Sequence, residues 1–203
     1  MENNTRPGKF IVFEGLDGSG KTTQAELLAK FFKSQEKEVV FTKEPTEESN
    51  AGMIIKKILA HEETRSPQEL QELFTEDRRT HLDTLILPAL KDGKIVISDR
   101  YFFSSLAFGA TGCDLDWLIG LNAEFPTPDL TFILEVLPER CIERIYARKG
   151  DIKLFEKLEV LKKVWETYQK LPEKFVNMHI VDGDQPILKV FNEIKTKTIA
   201  LFP

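Results

Sequence analysis

Residues 13–24 read FEGLDGSGKTTQ, and within them Gly15-Leu16-Asp17-Gly18-Ser19-Gly20-Lys21-Thr22 fits the pattern G-x-x-x-x-G-K-[ST] throughout. Glycines at that spacing let backbone N–H groups converge on phosphate oxygens, and a helix starting there adds the positive end of its dipole. Lys21 then reaches the outer phosphates of a nucleoside triphosphate, and Thr22 offers its hydroxyl to magnesium. The plain alternative is a glycine turn with a chance lysine; an apolar strand pattern before the motif and a helical one after it argue against that. The motif is silent on what becomes of the nucleotide. It also contains an oddity, the carboxylate of Asp17 inside a loop suited to anions.

Four further groups have chemical potential. In VISDRYFFSSLAF, Asp99 ends an apolar run as a magnesium-binding acid would, directly or through water. Arg100 follows it, suited to a bidentate grip on phosphate; on its own such a pair is more often an ion pair. In ELFTEDRRTH, Phe74 and Arg78 stand four apart and share one helix face, so the ring can stack on a base while the guanidinium bonds its edge. Without context that pair reads as a core Phe and a surface Arg. Lys43 and Glu44 come just after another apolar run, with Pro45 marking a turn. Finally, Arg140, Arg144, Arg148, Lys149 and Lys153 crowd a helical stretch interrupted by Gly150. A charge run is usually a solvated face. On a closing flap, however, Arg144 and Arg148 would meet the charge developing on a transferred phosphoryl group. His61, His81 and His179 fall in no motif and read as structural or surface residues.

These groups need a frame. FIVFE (10–14), VVFTK (39–43), KIVISD (94–99), LTFILEV (130–136) and MHIVD (178–182) are short and apolar on both faces, as buried parallel strands are. Amphipathic stretches lie between them. One begins with Ser66 as N-cap, Pro67 at the first helical position and Glu69 closing a capping box; Gly93 ends it and Pro88 is placed to kink it. Strand–helix alternation predicts an α/β sheet with helices on both faces and ligands beyond the carboxyl ends of the strands. The motifs follow Glu14, Lys43 and Asp99, where such a sheet would put them.

With 203 residues, 41% apolar and 30% charged, the chain has the composition of one ordinary globular domain. Residues 1–8 are expected as a flexible lead-in. A net charge of -5 argues against a nucleic-acid binder but leaves room for a small anionic ligand. No apolar run is long enough for a membrane span, and the N-terminus lacks a signal-peptide core. Cys113 and Cys141 form no metal-ligand spacing and read as reduced thiols of a cytoplasmic protein. A regulatory GTPase would carry Asn-Lys-x-Asp, which is absent here. A nucleoside kinase on the same scaffold would need a carboxylate as base.

The ordered set FEGLDGSGKTTQ, Glu44-Pro45, LF-x-x-x-R, DRYFFSSLAF, PDLTFILEV and a late VDG, spanning about residues 9–185, resembles thymidylate kinase, a P-loop nucleoside monophosphate kinase family. The resemblance implies a three-layer P-loop NTPase fold, with a five-stranded parallel sheet flanked by helices and a short helical lid near residues 146–156. It implies ATP-dependent phosphorylation of dTMP to dTDP with Mg2+, and a homodimer. By position, Gly15, Leu16, Asp17, Gly18, Ser19, Gly20, Lys21, Thr22, Thr23 and Arg144 would hold ATP. Phe74 would stack on thymine, Arg78 contact the base, and Ser104 and Phe108 line its pocket. Tyr101 would crowd the sugar's 2′ position, and Asp17 would bond its 3′-hydroxyl. Arg100 would grip the acceptor phosphate, and Lys43 stands where the family commonly has an arginine for that phosphate. Thr22 and Asp99 would serve the metal. Lys21, Arg100 and Arg148 would be the catalytic cations. Some members carry an arginine at the position of Gly18; its absence shifts that task to Arg148 on the flap.

Overall fold

The computed structural model describes residues 4–149 and 154–202, without the side chains of 148, 149 and 154–157. Five strands, β1 (Lys9–Gly15), β2 (Val39–Lys43), β3 (Ile95–Asp99), β4 (Leu130–Glu135) and β5 (Met178–Asp182), form one parallel sheet in the order β2-β3-β1-β4-β5. The central strand β1 is buried on both faces. Phe10 and Val12 belong to one core, shared with Val96, Phe102 and Leu106; Ile11 and Phe13 belong to the other, shared with Leu28, Phe32 and Ile194. The period of two in β1 thus separates two helix layers. Edge strands β2 and β5 are only partly buried, because each has a neighbour on one side alone.

Helix α1 (Lys21–Ser34) follows the loop after β1, and α2 (Asn50–Leu59) is N-capped by Ser49. In α3 (Pro67–His81), Ser66 and Glu69 form both bonds of the capping box. The chain then runs through a π-helical turn, Leu82–Ile86, into α4 (Leu87–Lys91). Pro88 has no N–H for a regular helical bond, and the wider turn just before it absorbs the kink. The remaining helices are α5 (Phe102–Gly109), α6 (Leu115–Leu121), α7 (Pro138–Lys149), α8 (Leu154–Lys174) and α9 (Ile187–Ile199). The middle of the lid expected near 146–156, residues 150–153, lies outside the described residues. Residues 4–8, by contrast, are anchored: Asn4 Nδ2 donates to Asp129 Oδ2 at 2.7 Å and Gly8 N to Leu90 O at 2.9 Å.

Register places the motifs. Phe13 of β1 and Lys43 of β2 both pair with Asp99 of β3, so β2 and β3 end level and β1 runs two residues further, to Gly15. β1 is flanked by β3 on one side and β4 on the other, and chain progression reverses there, the switch point at which such sheets open a crevice.

Candidate active site

The loop after β1 is held by its own backbone, with Ser19 N donating to Leu16 O at 3.1 Å. Lys21 Nζ donates to the same carbonyl at 2.8 Å. Burial, aided by the nearby Arg100 charge, lowers the Lys21 ammonium from 10.5 to about 8. Asp17, Asp99 and Glu14 oppose that shift without overcoming it. The buried Ser19 hydroxyl has no partner among the described residues. Gly18 has φ +87, and a Cβ there would stand 2.5 Å from Cys141 O of α7. The chain therefore excludes any side chain at position 18 on two grounds, backbone hand and space.

At the end of β3, Asp99 is buried. Its Oδ2 accepts the Thr22 hydroxyl, while Oδ1 has no partner among the described residues. A hard, unpartnered carboxylate oxygen beside a hydroxyl suits magnesium, which takes few protein ligands and fills its octahedron with phosphate and water oxygens. The residues present therefore fit Mg2+. Arg100 has φ +77, an uncommon state for a non-glycine residue that stores strain of about 1–3 kcal/mol. Its guanidinium donates to Asp17 Oδ1 at 2.6 Å and to Ser104 Oγ at 2.7 Å, and lies 5.2 Å from the Phe108 ring centre. Burial works to lower the Arg100 pKa, but Asp17, Tyr168 and Glu14 outweigh it and the net shift is upward. Arg100 stays charged.

Behind Arg100 lies Glu14, a carboxylate within β1 with no exposed surface. Oε1 accepts from Tyr101 N at 2.8 Å and Ser104 N at 3.2 Å, serving α5 as an N-cap supplied by another element. Oε2 accepts from Ser104 Oγ at 2.6 Å and Tyr168 OH at 2.8 Å. Burial raises its pKa from 4.5, against the lowering effect of Arg100 and these hydrogen bonds. Sequence reasoning assigned Glu14 and Tyr168 no role. The available signal was a lone acid in an otherwise apolar strand.

The third strand end brings α3 into the site. Arg78 is 2% exposed, far from the surface position an isolated Phe–Arg pair would suggest. It donates through Nε to Glu44 Oε2 at 2.8 Å, through Nη1 to Asn122 Oδ1 at 2.6 Å and through Nη2 to Ser105 Oγ at 3.1 Å. Glu44 also meets His81 Nδ1 at 3.2 Å, which makes His81 structural. Lys43 does not join this cluster. Thr42 faces His81 across 2.7 Å, so the next residue along the pleat points the other way, and Lys43 is exposed.

Two clefts result. One, of about 290 Å³, is lined by Asp17, Phe74, Arg78, Arg100, Tyr101, Ser104 and Phe108 among others. Tyr101 has no exposed area and donates its hydroxyl to Pro126 O at 3.1 Å. The other, of about 430 Å³, is lined by Gly18, Ser19, Gly20, Thr23, Gln24, Arg144, Gly183 and Gln185 just after β5, and residues of α9. Arg144 reaches Asp184 Oδ1 at 2.7 Å there. The Arg148 side chain lies outside what the structure describes. Asp17 and Gly18, neighbours in sequence, thus face different clefts.

Comparison with known proteins places this arrangement. The thymidylate kinase family model matches residues 13–194. A protein described as a probable thymidylate kinase from Pyrococcus horikoshii is 44% identical over 194 residues, 92% of this chain and 94% of its own. One of the same description from Thermococcus kodakarensis is 42% identical over 193 residues, 91% and 94% of the two chains. A thymidylate kinase from Desulfotalea psychrophila is 39% identical over 178 residues, 87% of each.

Proposed function

The chain belongs to the thymidylate kinase family, whose reaction passes a phosphoryl group from ATP to dTMP, and from that premise we propose how its residues divide the work. The larger cleft takes ATP and the smaller one dTMP. The observation that carries this division is the loop itself, where Gly18 borders the first cleft and Asp17 the second. The triphosphate runs along the loop towards Lys21, and the acceptor phosphate reaches the same point from the other side beside Arg100.

Transfer is direct and in line. The acceptor phosphate oxygen is already ionised, so no general base is required, and catalysis consists of positioning and charge stabilisation. Mg2+, which Thr22 and Asp99 are placed to hold, would supply further neutralisation of phosphate charge when bound. Lys21 gives up its bond to Leu16 O and draws the donor phosphates, whose negative charge holds its proton more tightly. Arg100 holds the acceptor phosphate, and its ties to Asp17 and Ser104 fix its direction before substrate arrives. Phe74 faces the base. Asp17 lies on the sugar side and would accept the 3′-hydroxyl beside its bond from Arg100. Because position 18 cannot carry a cation, the positive charge over the transferring group has to come from elsewhere, and Arg148 is our candidate. Arg148→Ala should lower kcat far more than it raises KM for dTMP; near-normal turnover would remove Arg148 from the mechanism.

We further propose that the enzyme works in the cytoplasm as a homodimer. Two unpaired cysteines support a reducing location, and no described helix is long and apolar enough to cross a membrane. Sedimentation equilibrium measures the assembly. For the reaction, a coupled assay with ATP and dTMP, dUMP, dCMP or thymidine is decisive. The proposal requires dTMP as the preferred acceptor. Turnover of thymidine without dTMP would make the chain a nucleoside kinase and overturn the division of roles.

A further inference from the structure

One polar atom in the smaller cleft is unaccounted for. Gln71 lines that cleft, is 5% exposed, and its Oε1 is buried with no hydrogen-bond partner among the described residues. The side chain is there because α5 makes room: a Cβ on Gly109 would stand 3.0 Å from Gln71 Cδ. An orphaned buried amide oxygen is costly and uncommon in a folded protein, so it calls for a donor that arrives with a ligand.

The neighbours define that ligand. Gln71, Phe74 and Arg78 stand at i, i+3 and i+7 of α3 and so share one face, and all three line the cleft. Glu44, Asn122 and Ser105 lock the Arg78 guanidinium, which has only donors to offer. The cleft wall therefore presents a fixed donor and an unfilled acceptor on one face of α3. A ring that lies against Phe74 satisfies both only if its edge carries an acceptor next to a donor. The O4 and N3–H of thymine or uracil form such an edge. Cytosine reverses it, setting an amino group against the arginine and a bare N3 against the amide oxygen.

We propose that Gln71 is a specificity-determining residue that accepts the base's N3–H, while Arg78 donates to O4. The inference rests on the smaller cleft being the acceptor site. It deepens that reading by assigning the pyrimidine edge to two side chains of one helix. Gln71 takes no part in phosphoryl transfer and touches only the base.

The test is Gln71→Leu, nearly isosteric, assayed with dTMP and dCMP beside the parent enzyme and Phe74→Ala. Removing an orphaned oxygen should leave Tm unchanged or slightly higher, which separates recognition from folding. The expected result is a fall in kcat/KM for dTMP of about 10- to 100-fold, the size of an unsatisfied buried polar contact, with KM for ATP unmoved. Activity on dCMP should change little, so the preference for dTMP over dCMP collapses. Loss of dTMP binding in Phe74→Ala with none in Gln71→Leu overturns the role of Gln71 and leaves the cleft assignment standing. An equal fall for dTMP and dCMP in Gln71→Leu also overturns it. If Phe74→Ala disturbs neither nucleotide, the cleft assignment and the inference fail together.

Discussion

Glu14 offers the sharpest test of the site's construction, through a pair of substitutions that ought to behave differently. Its Oε1 satisfies two backbone N–H groups, Tyr101 N and Ser104 N, at the start of α5. Glu14→Ala leaves both donors buried without a partner, at about 1–3 kcal/mol each, and opens a cavity as well. A total near 4 kcal/mol, at roughly 2–4 °C per kcal/mol for a domain of this size, predicts a Tm about 8–16 °C lower. Glu14→Gln keeps an oxygen for those two donors. Its amide meets the Ser104 and Tyr168 hydroxyls, which can turn to accept, so its Tm should stay within about 3 °C of the parent. The sign with pH is also set. Burial raises the folded pKa of Glu14 above 4.5, so its contribution to stability is full below about 4.5 and is lost as pH rises through the raised value. Glutamine has no such loss. The Tm of Glu14→Gln relative to the parent should therefore improve between pH 5 and pH 8, as followed by calorimetry across that range. A Glu14→Gln enzyme that melts as early as Glu14→Ala would refute the argument, because the loss could not then lie in the two backbone donors. So would a relative Tm that falls with rising pH.

The remaining predictions concern the loop. Lys21 must be charged to attract phosphate, and in the free enzyme it is lowered to about 8; kcat/KM for ATP should fall above about pH 8. In kcat that limb should move to higher pH, because bound phosphate restores the charge; a flat kcat/KM to pH 10 would contradict this. Asp17→Asn keeps an oxygen but loses the charge beside Arg100. KM for dTMP should rise by about tenfold, the scale of one charge-assisted hydrogen bond, with little change in KM for ATP. Gly18→Ala forces a methyl towards Cys141 O at a backbone angle that suits glycine; steady-state kinetics should show kcat/KM for ATP falling further than that for dTMP, with a Tm lower by several degrees.

How far the sequence leads depends on whether a feature is local. The five strands were legible because Val, Ile and Phe recur over short runs bounded by polar residues, and their positions agree with the sheet to within a residue or two. The capping box at Ser66 is likewise written in four consecutive positions. The π turn was not legible, since Pro88 announces a kink without saying which turn widens to absorb it. The site divides in the same way. The phosphate loop is a contiguous motif, so the cleft residues that flank it were named in advance. The elements that hold those residues in place come from distant parts of the chain. Arg78 is locked by Glu44, Asn122 and Ser105, separated from it by 34, 44 and 27 positions. Glu14 meets Tyr168 across 154. Spacing rules for a single helix or strand carry no information about such pairs. Nor could they show that Lys43, named as a candidate, turns away from the cluster once the pleat sets Thr42 against His81. Residues of a contiguous loop are thus visible in a motif, whereas the groups that fix the side chains of the cleft appear only when the strands are brought together. Gln71 belongs to the second kind. Its neighbours in sequence mark it as an ordinary helix residue, and only the absence of a partner inside a closed wall gives it a purpose.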